Sequence, residues 1–168
     1  MVALKHVLVA TDFGEPAGVA LDYGRELARV FGATLHVIHV VDDINARAVG
    51  LTGFPEHMPV LEGVQQDLQA AARDTLARLI TEDDRRRLSV RTVVLTGITP
   101  AQAILEYAKE AFVNLIIVGT HGRGAVAHLF MGSVAERLVR AAPCPVLTVR
   151  HPEREFLRPD ALAAAARH

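Results

Sequence analysis

The chain has 168 residues, of which 51% are hydrophobic, enough for one compact domain with its own core. Eighteen Lys and Arg against nineteen Asp and Glu leave a net charge of −1. That balance, with only six Phe and two Tyr, excludes a basic nucleic-acid footprint and a base-stacking platform. A lone cysteine, Cys144, makes no intramolecular disulfide. The longest aliphatic run, Leu115–Val118, is far short of a membrane span, and the N-terminus carries Lys5 inside its apolar run, unlike a signal peptide. These features give an expectation of a cytoplasmic protein that engages neither nucleic acid nor membrane.

The first β-rich run is His6–Ala10, followed by a helical pattern in which Ala17, Ala20, Leu21, Gly24, Leu27, Ala28 and Phe31 recur at three- and four-residue steps. Gly32 stands where a C-terminal cap belongs. A second run covers Thr34–Val41. The segment Asp42–Pro59 then reads as a long loop, either a mobile lid or a disordered stretch. Leu61, Val64, Leu68, Ala72, Leu76, Leu79 and Ile80 predict the core face of a second helix. The charge run Glu82–Arg87 reads as its solvated end.

The third run, Val90–Leu95, alternates more than the others and is expected near an edge. Thr99-Pro100-Ala101-Gln102 has the form of a capping box with proline at the first helical position. It predicts a helix whose core face is Ile104, Leu105, Ala108 and Phe112. The fourth run is Leu115–Val118. A last helix is expected from Ser133, capped with Glu136 and burying Val134, Leu138 and Val139, and leads to the fifth run, Pro145–Val149. The tail, residues 151–168, either frays or forms a short helix at Ala161–Arg167. Strand and helix alternating over residues 1–150 predict one α/β domain with a doubly wound sheet and helices on both faces.

Ligands of such sheets sit beyond the carboxyl ends of the strands, where strand order reverses. After the fourth strand come Gly119, Gly122, Gly124 and then Gly132-Ser133 at a helix start, a pattern suited to close backbone approach to an anion. Arg123 offers a permanent charge for a phosphate, and His121 is the one histidine in this loop. Each residue also has a plainer role as a cap, a strand end or a solvated side chain. No GxxxxGK[ST] and no GxSxG occurs. The Gly122-x-Gly124 match to a dinucleotide fingerprint lies after the wrong strand and lacks its acidic partner.

After the first strand comes Ala10-Thr11-Asp12. The Asp12 carboxylate can accept from a ribose hydroxyl or an adenine amine, or hold a magnesium-bound water. It can equally cap the first helix with Glu15. His36 and His39 stand at odd spacing on one strand and face opposite sides. No His/Cys/Asp group has metal-ligand spacing, so no protein-held metal is expected. Cys144 reads as a small buried residue ahead of an edge strand.

VLVATDF, TGITPAQAI and IIVGTHGRG…MGSVAERLVRAAPCPVLTV together resemble the universal stress protein family over residues 1–150. The most specific element is the pattern G-x2-G-x9-G-[S/T], met at Gly119, Gly122, Gly132 and Ser133. The resemblance implies a five-stranded parallel sheet in the order 3-2-1-4-5, of the adenine nucleotide alpha hydrolase-like kind. It implies that Ala10, Thr11 and Asp12 contact adenosine and that Val40 flanks adenine. Gly119, Gly122, Gly132, Ser133 and Val134 would then hold ribose and phosphates, with magnesium brought by the ATP. It also implies a homodimer through Pro145–Val149, which removes an exposed sheet edge.

The leading expectation is an ATP-binding stress or signalling dimer whose nucleotide shifts the Asp42–Pro59 loop and so the surface offered to a protein partner. One alternative is slow ATP hydrolysis or self-phosphorylation with Asp12 or His121 as candidates, although no dedicated catalytic constellation is present. The other is a nucleotide-independent interaction module.

Overall fold

The computed structural model describes residues 3–52, 58–120 and 132–150. Five parallel strands form one sheet: β1 (His6–Ala10), β2 (Thr34–Val41), β3 (Ser89–Thr96), β4 (Leu115–Gly119) and β5 (Val146–Val149). Their order is β3-β2-β1-β4-β5, as expected, which places the alternating β3 at one edge and β5 at the other. β1 lies centrally, its Ala10 in register with Ile38 of β2 and Val118 of β4.

Helices cover both faces. α1 (Glu15–Phe31) and α3 (Met58–Leu79) pack on one face, where Ala20, Leu21, Ala28 and Leu76 meet Val7, Val9, Leu35 and Val37. α5 (Pro100–Glu110) and α6 (Ser133–Ala141) cover the other, with Ile104, Ala108 and Leu138 against Leu8, Ile38 and Ile116. Alternate residues of β1 and β2 thus feed opposite cores, and every one of them from Val7 to Val9 and Leu35 to Ile38 is buried. α1 sits very close to the sheet: a Cβ on Gly24 would lie 2.4 Å from Cγ2 of Val9. Gly32 ends α1 in the left-handed conformation, φ 62°, where its cap was expected.

Several local expectations are corrected. Residues Ile44–Thr52 of the presumed loop form a helix, α2, which packs on α3. Val64 and Leu68 of α3 are exposed rather than in the core, and buried Gln65 takes the inward position. Phe112 is 80% exposed because the backbone turns left-handed there, φ 51°, after α5 has ended. Val139 is also exposed, while Leu105 and Val134 are half-buried at the core margin. Thr99 precedes α5 without any side-chain cap, so that capping box does not form. Cys144 is half-buried ahead of β5, and burial pushes its thiol up. The tail from residue 151 lies outside the described residues.

The charge run is not a solvated helix end but a separate turn of helix, α4 (Glu82–Arg87), built around a buried carboxylate. Thr81 and Asp84 form a reciprocal capping box, and Arg25 of α1 donates from Nε to both Asp84 oxygens at 3.1 Å. Arg25 also donates to the Leu79 carbonyl at 2.7 Å, so one guanidinium ties α1 to the end of α3 and to α4. Burial pushes the Asp84 carboxyl up, but the Thr81 hydrogen bonds and the Arg25 charge outweigh it, and the net shift is downward. Removing one member of a buried pair strands the other. Asp84→Ala is therefore expected to lower stability by about 3 kcal/mol. Arg47→Ala, which breaks an exposed pair with Asp42, should leave stability nearly unchanged. Urea unfolding of the two variants compares these values, and equal midpoints would refute the role given to Asp84.

A second polar group is buried under α5. His36 is 1% exposed, with Nδ1 2.8 Å from the Tyr107 hydroxyl and Nε2 3.1 Å from Nδ1 of His6. Burial, then the neighbouring His6 and Arg91, pulls the imidazole from 6.5 down to about 4. An unfolded histidine takes up its proton near 6.5 and the folded one only near 4. Between those values the unfolded state binds more protons, so stability falls with falling pH. The full effect is about 3 kcal/mol, present above pH 6.5 and lost by about 4. Thermal unfolding from pH 7.5 to 4.5 should show a shallower loss in His36→Gln than in the parent; parallel curves would contradict it.

Candidate functional site

The strand order reverses at β1, whose two neighbours β2 and β4 receive chain from crossovers on opposite faces. Ala10 at its carboxyl end and Thr11 just beyond are buried, and Asp12 and Phe13 are half-buried. Thr11 extends the pairing by donating its N–H to the Ile38 carbonyl at 2.8 Å. Asp12 does not cap α1. Its Oδ1 accepts from the Gly14 N–H at 3.0 Å in a tight turn, while Gly14 itself occupies the N-cap position and Glu15 begins the helix. Thr11 Oγ1 accepts from the Phe13 N–H at 3.0 Å, which adds a second short-range brace.

β4 ends beside this turn. A Cβ on Gly119 would stand 2.9 Å from the Pro16 Cβ and 3.0 Å from its carbonyl carbon. The glycine is thus required by the first turn of α1 pressing on β4, a packing demand that exists whatever the crevice holds. Thr120, buried next in line, donates its N–H to the Val149 carbonyl and accepts from the Gly132 N–H. Residues 120 and 132 are therefore joined at the base of the glycine-rich segment. His121, Gly122, Arg123 and Gly124 lie outside the described residues.

Gly132 is the N-cap of α6 in extended backbone, φ −69° and ψ 151°, and makes no side-chain cap. Ser133 is the exposed first residue of the helix, so the capping box expected with Glu136 is absent. Glu136 instead pairs with Arg140 at 2.9 Å. α1 and α6 both start at the carboxyl edge of the sheet without a side-chain cap. The helix dipole makes such starts receptive to anions. Val40, half-buried near the end of β2, lies on the sheet face opposite His39.

Ala10, Thr11, Asp12, Gly119, Gly132, Ser133 and Val134 are thus gathered by the ends of β1 and β4 and the start of α6, with Val40 near the end of neighbouring β2. The prediction of opposite faces for His36 and His39 holds: His36 meets α5, and His39 meets Phe13 just ahead of α1. Phe13, His39 and Thr120 belong to this edge and escaped the sequence reading. Only the placement of a histidine near the carboxyl end of β2 could have flagged one of them. Among the described residues no three His, Cys, Asp or Glu side chains could hold a metal ion.

A sequence model of the universal stress protein family matches residues 3–150. The chain belongs to the universal stress protein family. A universal stress protein of Thermus aquaticus is 34% identical over 146 residues, 87% of this chain and 98% of the relative. The solved universal stress protein UspA of Lactobacillus plantarum superimposes with a TM-score of 0.73 at 26% identity, over 89% of this chain and all of that one. Two more distant structures share the fold. One is a universal stress protein in complex with cAMP (TM-score 0.58, 22% identity, 89% and 98% coverage). The other, from Archaeoglobus fulgidus, is in complex with dAMP (TM-score 0.57, 20% identity, 89% and 99% coverage). No helix among the described residues is long and apolar enough to cross a membrane.

The seat of α1 makes a direct prediction. Gly119→Ala places a methyl group against Pro16 backbone that cannot yield without moving the helix start. A loss of about 1–3 kcal/mol is expected. Gly18→Ala on the same helix, where a Cβ meets nothing within 4 Å, should be neutral or slightly stabilising. Thermal unfolding of the pair decides it, and equal stability would remove the packing constraint from Gly119.

Proposed function

We propose that this universal stress protein binds an adenine nucleotide in the crevice between the carboxyl ends of β1 and β4, with phosphates at the start of α6. The observation that carries the reading is the closure of Thr120 onto Gly132. It sets a glycine with extended backbone, an exposed serine hydroxyl and an uncapped helix start beside the Asp12 turn. The donor set suits the group: backbone N–H donors and Ser133 for phosphate, a carboxylate for a hydroxyl or amine. ATP is the proposed ligand, with any magnesium carried on its phosphates, since the described residues offer no ligand cluster. Gly122 joins the proposed cradle on the strength of the family pattern, and His121 and Arg123 on their capacity to meet a phosphate from the same loop sequence. The cAMP and dAMP complexes of two structural neighbours support the choice of adenine nucleotide.

The protein acts, in this reading, as a cytoplasmic homodimer joined through β5, which occupies a sheet edge. Nucleotide alters the surface that α2 offers to a protein partner. The seat of α2 suits such a shift. Gln65 Oε1 accepts the Ile44 N–H at 3.0 Å, whereas Gln65 Nε2 and Asn45 Oδ1 are buried without a hydrogen-bond partner among the described residues. Unpaired buried polar atoms lower the cost of moving that element.

Freshly purified protein, denatured and analysed by chromatography and mass, is expected to release adenine nucleotide; ATP–magnesium titration by calorimetry then gives the affinity. In Gly132→Val the extended backbone accepts the new side chain, so the fold should survive while affinity falls at least tenfold or so. Unchanged affinity in that folded variant refutes the site. The absence of both released nucleotide and titration heat in the parent protein refutes the function.

A further inference from the structure

The turn that carries Asp12 is held by a residue of β2. His39 Nδ1 lies 2.8 Å from the Thr11 carbonyl oxygen. A carbonyl oxygen only accepts, so Nδ1 carries the proton and donates. The same imidazole lies against the Phe13 ring, centroids 4.2 Å apart at 30°. Phe13 has φ 65°, a left-handed conformation costly for a bulky residue, which persists only where the surroundings enforce it. One side chain therefore grips the backbone on both sides of Asp12: the peptide before it by a hydrogen bond, the residue after it by ring contact. With Gly14 donating to Oδ1, the carboxylate has little freedom left.

We propose that His39 is a positioning residue of the nucleotide site, holding the Asp12 carboxylate in its binding orientation by clamping Thr11 and Phe13. The proposal rests on the nucleotide-binding reading above. It differs from a general packing role because its effect on binding must pass through Asp12.

The test is a double-mutant cycle on ATP–magnesium affinity, measured by calorimetry on the full chain. Asp12→Asn is the second variant, since an asparagine keeps the turn to Gly14 but loses the charge. His39→Ala should weaken ATP about tenfold. His39→Asn, whose amide can stand in for Nδ1, should weaken it only about threefold. In the Asp12→Asn background, His39→Ala should have little further effect. If His39→Ala does not unfold cooperatively, His39→Gln carries the same cycle, its amide reaching past the Thr11 carbonyl. Wild-type affinity in the His39 variants overturns the proposal and leaves nucleotide binding intact, and so do fully additive losses in the double variant. Absence of ATP binding by the parent protein overturns both.

Discussion

Helix α1 can reach the middle of the sheet only because two positions lack a side chain. Gly24 lets its middle touch Val9 of β1, and Gly119 lets its first turn press on the end of β4. At a Cβ distance of 2.4 Å from Val9, no other residue fits at position 24 without displacing the helix. That seating obliges the chain leaving β1 to turn sharply within four residues, Thr11 to Gly14, before the helix begins. The strain is visible in Phe13, and the two short-range side-chain bonds of Thr11 and Asp12 are what such a turn requires. The crevice at the switch point is the space this turn and the end of β4 leave between them.

The two ends of the sheet use polar groups differently. Near the amino ends and behind α1, they are buried, paired and directed at one another. Arg25 meets Asp84, and His6, His36 and Tyr107 form a chain under α5. Such groups lock helices to the sheet and make stability depend on pH. At the carboxyl ends, by contrast, helices α1 and α6 begin without side-chain caps and Ser133 is exposed. The start of α4 is instead closed by the reciprocal box of Thr81 and Asp84. Open helix starts at the place where strand order reverses are the physical basis for assigning an anionic ligand there.

The strands and their order of burial were legible because period and composition agree in them. His6–Ala10 and Leu115–Val118 are nearly continuous aliphatic runs and lie inside a parallel sheet, and the more alternating β3 lies at an edge. Capping was less legible. Thr99 and Ser133 carry the right letters at the right spacing, yet neither caps, whereas Thr81 and Asp84, read only as part of a charge run, form a complete box. Phe112 and Val64 continue an apolar period in sequence, yet both are exposed among the described residues. Of the site, Asp12 and the glycines at 119 and 132 could be picked out from spacing and family resemblance. His39 and Phe13 could not, since a histidine within a strand carries no mark of what it touches.

Local patterns were sufficient for what depends on neighbours in sequence. Strand runs, the Gly32 cap and the proline at the start of α5 follow from side-chain shape and backbone preference within a few residues. The separate helix at Glu82–Arg87 depends on a guanidinium 59 residues away, and the grip on Asp12 on an imidazole 28 residues from Thr11. Whether a charge is solvated or buried, and whether a histidine holds a turn, is set by the partner that folding brings to it. Those partners are remote in sequence, so only the assembled sheet and its helices could decide them.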